Sequence, residues 1–461
     1  MAPNVIAVFD IGKTNKKVLL FDENVKVIYQ DEQKFEEITD EEGFSCDDIV
    51  KVESWMSKTL EKLSENPLFN VKAVNFATYG ASLMYLDANG KALTPVYNYL
   101  KPMPEEVMAG FYERYGGIEE FSRATASPAL GMLNSGLQAL WLKKTKAEIF
   151  KKVHSVLHFP QYLSHYFTGK IVSEYTSIGC HTAMWDFDSM KYHKWISDEA
   201  INLPQPVSNS TCYDVRIKNK SLKLGIGIHD SSASLVPYLK NSDKKFMLLS
   251  TGTWCILMNP FNDEALTSEQ LRQDTLCYLS VQQKQVKSSR LFLGHIHDVN
   301  AKRLSSHFNL PEDQYKKTKP DDNLLSSLLL KHKHAKKFFF KGIPADYIDT
   351  EIDLSSFANF EEAYHQLVID LTGLALESLA LITAAQDSTT EFFVSGGFAR
   401  NEIFLRMLAT RLNYKKVYIS EIDNSTALGA ALTIWEEAFN TPIPKLDLGL
   451  KEVVPFKLFK N

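Results

Sequence analysis

The stretch Val5-Ile6-Ala7-Val8-Phe9-Asp10-Ile11-Gly12-Lys13-Thr14-Asn15-Lys16-Lys17-Val18-Leu19-Leu20-Phe21-Asp22 holds two apolar runs around a short polar turn. Runs this short and rich in Val, Ile, Leu and Phe read as two strands of a hairpin. A buried strand ending in Asp10 sets a carboxylate at the mouth of a cleft, where it suits a hydrated metal ion. Gly12 carries no Cβ, so a ligand can approach its backbone closely. Thr14 and Asn15 offer hydrogen-bond donors, and Lys13, Lys16 and Lys17 offer positive charge. The turn therefore fits nucleotide phosphates together with Mg2+, whose usual partners are carboxylate and phosphate oxygens. An ordinary hairpin with a polar turn fits the same residues.

Moving outward, Val25–Tyr29 and Ala73–Ala77 read as further strands, with a helix over Asp47–Leu63 between them. Ile49, Val52, Trp55, Met56 and Leu60 share one face of that helix, and Asp47 or Asp48 caps it. Thr78-Tyr79-Gly80-Ala81-Ser82 leads into a short strand, Leu83–Leu86. Helices follow over Ser135–Lys144 and Phe159–Phe167. The pattern then restarts: strand Lys245–Ser250, turn Thr251-Gly252-Thr253, strand Trp254–Met258. After it come a long helix at about Phe360–Ala384, strand Glu391–Ser395, helix Asn401–Leu412, strand Lys416–Ile419 and a last helix, Ser425–Phe439. A polar stretch near Pro237–Lys244 separates the halves, giving domains of residues 1–240 and 241–461. Two similar α/β domains would turn both glycine turns onto one central cleft.

Three further constellations carry chemistry. Ser250-Thr251-Gly252-Thr253-Trp254 offers backbone N–H groups and Thr253 to a phosphate, or is a plain small-residue hairpin. Val394-Ser395-Gly396-Gly397-Phe398-Ala399-Arg400-Asn401 runs into a helix whose N-terminus bears partial positive charge. The paired glycines suit a nucleoside lying flat on the backbone, or merely tight packing. In Gly225-Ile226-Gly227-Ile228-His229-Asp230, a strand ends in a His-Asp pair before a helix. Asp230 is either a general base facing the cleft or an N-cap.

Composition narrows the classes. The 461 residues exceed one ordinary core. A net charge of −5 with interspersed signs gives no nucleic-acid footprint. The densest basic run, Lys331 to Lys337, reads as a solvated face. Five cysteines (Cys46, Cys180, Cys212, Cys255, Cys277) lack metal-site spacing and suit a reducing compartment. No basic leader precedes the first strand, and no run reads as a membrane span. The expectation is a soluble cytoplasmic protein with neither nucleic-acid nor membrane partners; a homodimer is left open.

Taken together and in this order, the motifs resemble the FGGY family of carbohydrate kinases, of the actin/Hsp70/sugar-kinase superfamily. The resemblance extends to Ser173–Phe187 and to Ala427-Leu428-Gly429-Ala430-Ala431. It implies two ribonuclease-H-like domains flanking a cleft, with ATP and Mg2+ as cofactors and a sugar as the small-molecule partner. It further implies Asp230 as catalytic base and Asp10 as the metal-associated carboxylate. Gly12, Lys13, Thr14, Asn15, Lys17, Gly252, Thr253, Gly396, Gly397 and Asn401 would face the nucleotide. Thr78, Tyr79, Gly80, Ala81, His229 and Asp230 would face the sugar. His229-Asp230, Thr78-Tyr79-Gly80, Thr14-Asn15 and Ser250–Trp254 are similar to the L-fuculose and L-rhamnulose kinases, implying a deoxyketohexose, with L-fuculose first and L-rhamnulose or xylulose as alternatives. Departures stand at Ser82, where that branch has an acid, at Asn424, and at Asn98-Tyr99-Leu100-Lys101-Pro102. Two other readings are a chaperone-type ATPase of the same superfamily and a catalytically silent sugar-binding relative.

Overall fold

The computed structural model describes residues 2–331, 338 and 352–457. Beyond Lys331, the basic run ending at Lys337 lies outside the described residues. Each half is built on a seven-stranded mixed sheet. In the first, strand Asn4–Ile11 pairs antiparallel with Lys16–Asp22 and parallel with Asn70–Thr78. In the second, Phe246–Thr251 pairs antiparallel with Cys255–Asn259 and parallel with Glu391–Gly396. The same local topology thus recurs, as the repeated strand–turn–strand pattern predicts. Both central strands are continuous apolar runs, because each is covered on two faces.

A shared core joins the halves. Ile6 and Val8 of the first sheet and Leu248 and Phe393 of the second pack against Ala233, Val236, Ala430 and Leu432. These last four lie on two helices, Asp230–Asn241 and Ser425–Thr433, which sit between the sheets. Their crossing is close. A Cβ on Gly429 would stand 1.8 Å from the carbonyl oxygen of Ala233, so only glycine fits there. The family-like Ala-Leu-Gly-Ala-Ala run therefore fixes the helix that begins with Asp230.

Several boundaries differ from expectation for local reasons. The strand expected from Val25 starts at Val27, because Asp22 accepts the Asn24 and Lys26 N–H groups and Val25 adopts a positive φ of 64°. The helix expected at Asp47 runs over Ile49–Glu65 and is capped by Asp48, which accepts the Lys51 N–H. Pro237 lies inside a helix that continues to Asn241, so the link between the halves narrows to the residues just after it. The last helix divides at Ile434 into Ser425–Thr433 and Trp435–Phe439. Helix Phe360–Ile382 has the length and apolarity of a membrane span, which the sequence reading had not credited to any run; 67% of its apolar window is buried in the second core. All five cysteines are free.

Candidate active site

Asp10 sits next to the end of its strand, directly opposite Lys17 in the hairpin register. The turn closes through the Gly12 N–H, which donates to the Asn15 carbonyl at 2.9 Å, and Thr14 is exposed at its tip. Asn15 Oδ1 is buried without a partner. Rotating that amide presents its NH2 group instead, the orientation a phosphate oxygen requires.

The other two lysines of the turn are placed differently. Lys13 Nζ lies 2.8 Å from Asp47 Oδ2 and 2.6 Å from Glu37 Oε1. Lys16, buried to 1% exposure, reaches Asp47 Oδ1 at 2.9 Å. Tyr79, expected at the sugar, donates its hydroxyl to Asp47 Oδ2 at 2.6 Å. Burial pushes the Asp47 carboxyl up, but Lys13, Tyr79 and Lys16 outweigh it and hold the group below the ordinary range. The cluster braces the base of the hairpin, and in this arrangement Lys17 is the lysine left facing Asp10.

The backbone at residues 225–230 explains how Asp230 reaches the cleft. Strand Lys220–Gly225 ends, Gly227 turns at a positive φ of 84°, and Ile228–His229 re-joins strand Asn70–Thr78. The next helix starts at Asp230, with His229 in the N-cap position and no side-chain cap. Asp230 Oδ1 accepts the Ser231 N–H at 2.5 Å and the Ser231 hydroxyl at 3.2 Å, and it lies 3.1 Å from His229 Nε2. The Asp230 carboxylate thus bonds the residue that follows it and does not serve as an N-cap. Its side chain keeps 35% of its surface open to the cleft.

Buried groups brace this segment. Glu174, fully buried, accepts the Thr176 and Ser177 N–H groups, and Thr176 Oγ1 accepts the His229 N–H at 3.1 Å. Gly80 packs so closely on the His229 ring that a Cβ there would lie 2.9 Å from Nε2. Ala81 holds a positive φ of 57°, its carbonyl anchored by Gln138 Nε2 at 2.7 Å. Thr78 is buried, its hydroxyl donating to the Tyr79 carbonyl.

Asp10 and Asp230 are near enough to repel. Burial, and then the charge of Asp230, lift Asp10 to about 6 against the pull of Lys17. Burial lifts Asp230 to about 6 against its bonds to Ser231. Burial drops His229 to about 4, so at neutral pH it stands uncharged beside Asp230. A pair of carboxylates with raised affinity for positive charge fits Mg2+, which takes one or two carboxylates and completes its shell with water and phosphate. Among the described residues no group of three acid, histidine or cysteine side chains forms a fuller metal site.

The second half supplies the opposite wall. Gly252 donates to the Trp254 carbonyl at 2.9 Å, forming the tight turn with exposed Thr253 at its tip. Gly396 adopts a positive φ of 86°, and a Cβ there would stand 1.9 Å from the Thr251 carbonyl oxygen. Its glycine is a packing requirement. Gly397 is different: nothing lies within 4 Å of its would-be Cβ, leaving open backbone surface. Asn401 caps helix Glu402–Arg411 through Oδ1 and donates Nδ2 to the Tyr364 hydroxyl at 3.0 Å. Both polar groups of its side chain are thus engaged within the fold.

Two departures gain physical reasons. Asn424 stands at φ 54° before the last helix, a left-handed position that Asn tolerates better than Glu. Lys101 is buried against Asp40 and Glu42 and lies over the Trp141 ring, so the Asn98–Pro102 stretch is locked into the fold. Sequence reasoning did not single out His158 and His181, which lie near His229. The only signal for His158 was its place at the end of a strand, just before a helix.

Comparison with known proteins gives the following likenesses. Residues 5–214 match the model of the FGGY family of carbohydrate kinases, N-terminal domain, and residues 243–442 match the carbohydrate kinase FGGY C-terminal domain. A rhamnulokinase of Halalkalibacterium halodurans is 26% identical over 260 residues, covering 54% of each chain. An L-fuculokinase of Escherichia coli K12 is 21% identical over 276 residues, covering 56% of this chain and 57% of that one. The chain thus spans about half the length of the curated relatives it matches. The crystal structure of a carbohydrate kinase from Novosphingobium aromaticivorans superposes with a TM-score of 0.81 at 22% identity, covering 99% of this chain and 96% of that one, which shows the fold.

Proposed function

The chain belongs to the FGGY family of carbohydrate kinases, and from that premise we propose that it transfers the γ-phosphoryl group of ATP to a sugar hydroxyl at Asp230. The observation that carries this reading is the pairing of Asp10 with Asp230 in a cleft walled by glycine turns from both halves. Asp230 orients the attacking hydroxyl and accepts its proton, held in place by His229 and by Ser231. Asp10, faced by Lys17, is the carboxylate that would hold Mg2+ through its hydration shell. When bound, the cation supplies charge neutralisation for the transferring group.

The nucleotide would lie over the open backbone at Gly397, with its phosphates between the Gly252-Thr253 turn and the Gly12–Asn15 turn. Lys13 and Tyr79 support the hairpin from behind through Asp47. The sugar would rest against Gly80, Ala81 and His229. Phosphoryl transfer depends mainly on positioning and electrostatics, so this distribution of modest contacts is chemically adequate. Closure of the cleft would limit hydrolysis of ATP by water.

For the acceptor, a deoxyketohexose is our reading, from His229-Asp230 and the Thr78-Tyr79-Gly80 turn. Relatives named rhamnulokinase and L-fuculokinase support it. A coupled ADP-release assay with L-fuculose, L-rhamnulose, D-xylulose and glycerol tests it. Faster initial rates with either deoxyketose are expected; a clear preference for xylulose or glycerol refutes the sugar choice. Absence of release with every acceptor would favour a silent sugar-binding relative.

A further inference from the structure

His229 stands beside Asp230, and two further imidazoles, those of His158 and His181, lie near His229 from separate elements. His158 ends strand Ser155–His158, opposite Leu83 in register. His181 follows the short helix Tyr175–Ile178, and His229 ends Ile228–His229. His158 is only 3% exposed, and neither of its ring nitrogens has a hydrogen-bond partner. Nδ1 of His181 is likewise buried and unpartnered, and its backbone sits at φ 41°, a strained position for a residue with a Cβ.

One helix holds both strained turns. Asn134, just before helix Ser135–Thr145, donates Nδ2 to the His181 carbonyl at 2.8 Å. Gln138, one turn further on, holds the Ala81 carbonyl and leaves its own Oε1 buried without a partner. Each buried polar atom left unbonded opposes folding. Several of them gathered beside a strained, braced backbone are the mark of a wall built for a hydrogen-bonding ligand.

The charge balance says which ligand. Burial drops His158 to about 3 and His181 to about 4, with His229 a further cause for both. Neutral imidazoles donate from one nitrogen and accept at the other, the complement of a hydroxyl group. Lys17 stands opposite Asp10 in the hairpin register, and Arg290 Nε lies 3.0 Å from Asp274 Oδ1. Asp10 and Asp230 add negative charge. A carboxylate would meet their repulsion here.

Resting on the kinase reading above, we propose that His158, His181 and Gln138 form the specificity wall that reads the hydroxyl groups of an uncharged polyhydroxylated acceptor and rejects sugar acids. Gln138 Oε1 accepts a hydrogen bond from one hydroxyl, His158 bonds hydroxyls through both ring nitrogens, and His181 through Nδ1.

The test is calorimetric titration of the whole protein with L-rhamnulose, L-fuculose, D-xylulose and D-gluconate. The same titrations are run on His158→Gln and His181→Ala, alongside thermal melts and ATP binding. At least one ketose is expected to bind, with gluconate at least about a hundredfold weaker. Each variant should lose about tenfold or more in ketose affinity, with ATP affinity and melting temperature unchanged. In 15N-histidine-labelled wild type, imidazole resonances should move when that ketose is added, which decides the matter if His158→Gln does not fold. Silent imidazole resonances, no binding of any ketose, gluconate within tenfold of the best ketose, or wild-type ketose affinity in both variants overturns the proposal. Failure of the kinase reading looks different: histidine-dependent ketose binding persists, but the wild type releases no ADP.

Discussion

Asp10 and Asp230 approach one cleft from the ends of two different strands, and each is lifted to about 6. Burial does most of this, and for Asp10 the charge of Asp230 adds to it. Two carboxylates in this state gain from any cation placed between them.

Asp10→Asn should stabilise the ligand-free protein at pH 7.5. A carboxyl whose folded pKa lies above its ordinary value of 3.8 stabilises fully below that value and loses the contribution as pH rises through about 6. Above pH 6 the ionised Asp10 therefore opposes folding, and the amide removes that cost. Thermal melts should show a higher midpoint for the variant, while added MgCl2 raises the wild-type midpoint far more. A lower midpoint for the variant would contradict the electrostatic account.

The acid limb of the pH profile follows from Asp230. In the free enzyme kcat/KM should fall as pH drops through about 6, because only the ionised carboxylate accepts a proton. The limb in kcat should lie lower, since bound cation favours the ionised form. A flat profile between about pH 5 and pH 8 would exclude a titrating base with this pKa.

Gly396 and Gly397 should behave oppositely. Gly396→Ala drives a methyl group into the Thr251 carbonyl at a positive φ, so the melting temperature should drop sharply. Gly397→Val meets open space and should fold, but its side chain covers the surface offered to adenosine. Calorimetry should find ATP bound at least about tenfold more weakly, equivalent to about 1.4 kcal/mol. Unchanged ATP affinity in a folded Gly397→Val protein would remove that turn from the nucleotide site.

Asp47→Ala should be severely destabilising, by about 3–5 kcal/mol, because it strands the buried Lys16 ammonium without its partner. Asp47→Ala combined with Lys16→Met should recover part of the loss in denaturant unfolding. No recovery would mean that Asp47 acts through Lys13 and the Tyr79 hydroxyl instead.

The fold was legible because both halves advertise a strand–glycine turn–strand unit, and Asp10–Lys17 survives as a register pair. Asp230 was legible for the same reason: a strand ends there and small residues begin a helix. What periodicity could not show was partnership across sequence distance. Lys13, Lys16 and Lys17 look alike in the chain, yet Asp47 claims the first two and leaves the third beside Asp10. Tyr79 was assigned to the sugar by position, whereas its hydroxyl points to that same carboxylate. His158 and His181 went unnoticed because an isolated histidine carries no pattern; only the fold reveals that both nitrogens of His158 and Nδ1 of His181 lack partners.

The most direct test of the account is Asp230→Asn, measured by steady-state kinetics beside a thermal melt and ATP calorimetry. Asparagine keeps the side chain's shape and the oxygen that accepts the Ser231 N–H, but it cannot take a proton. Turnover should fall by roughly a hundredfold or more, the usual range for a positioned base, with melting temperature and ATP affinity nearly unchanged. Near-normal turnover in the folded Asp230→Asn protein would contradict the assignment of Asp230 as the base.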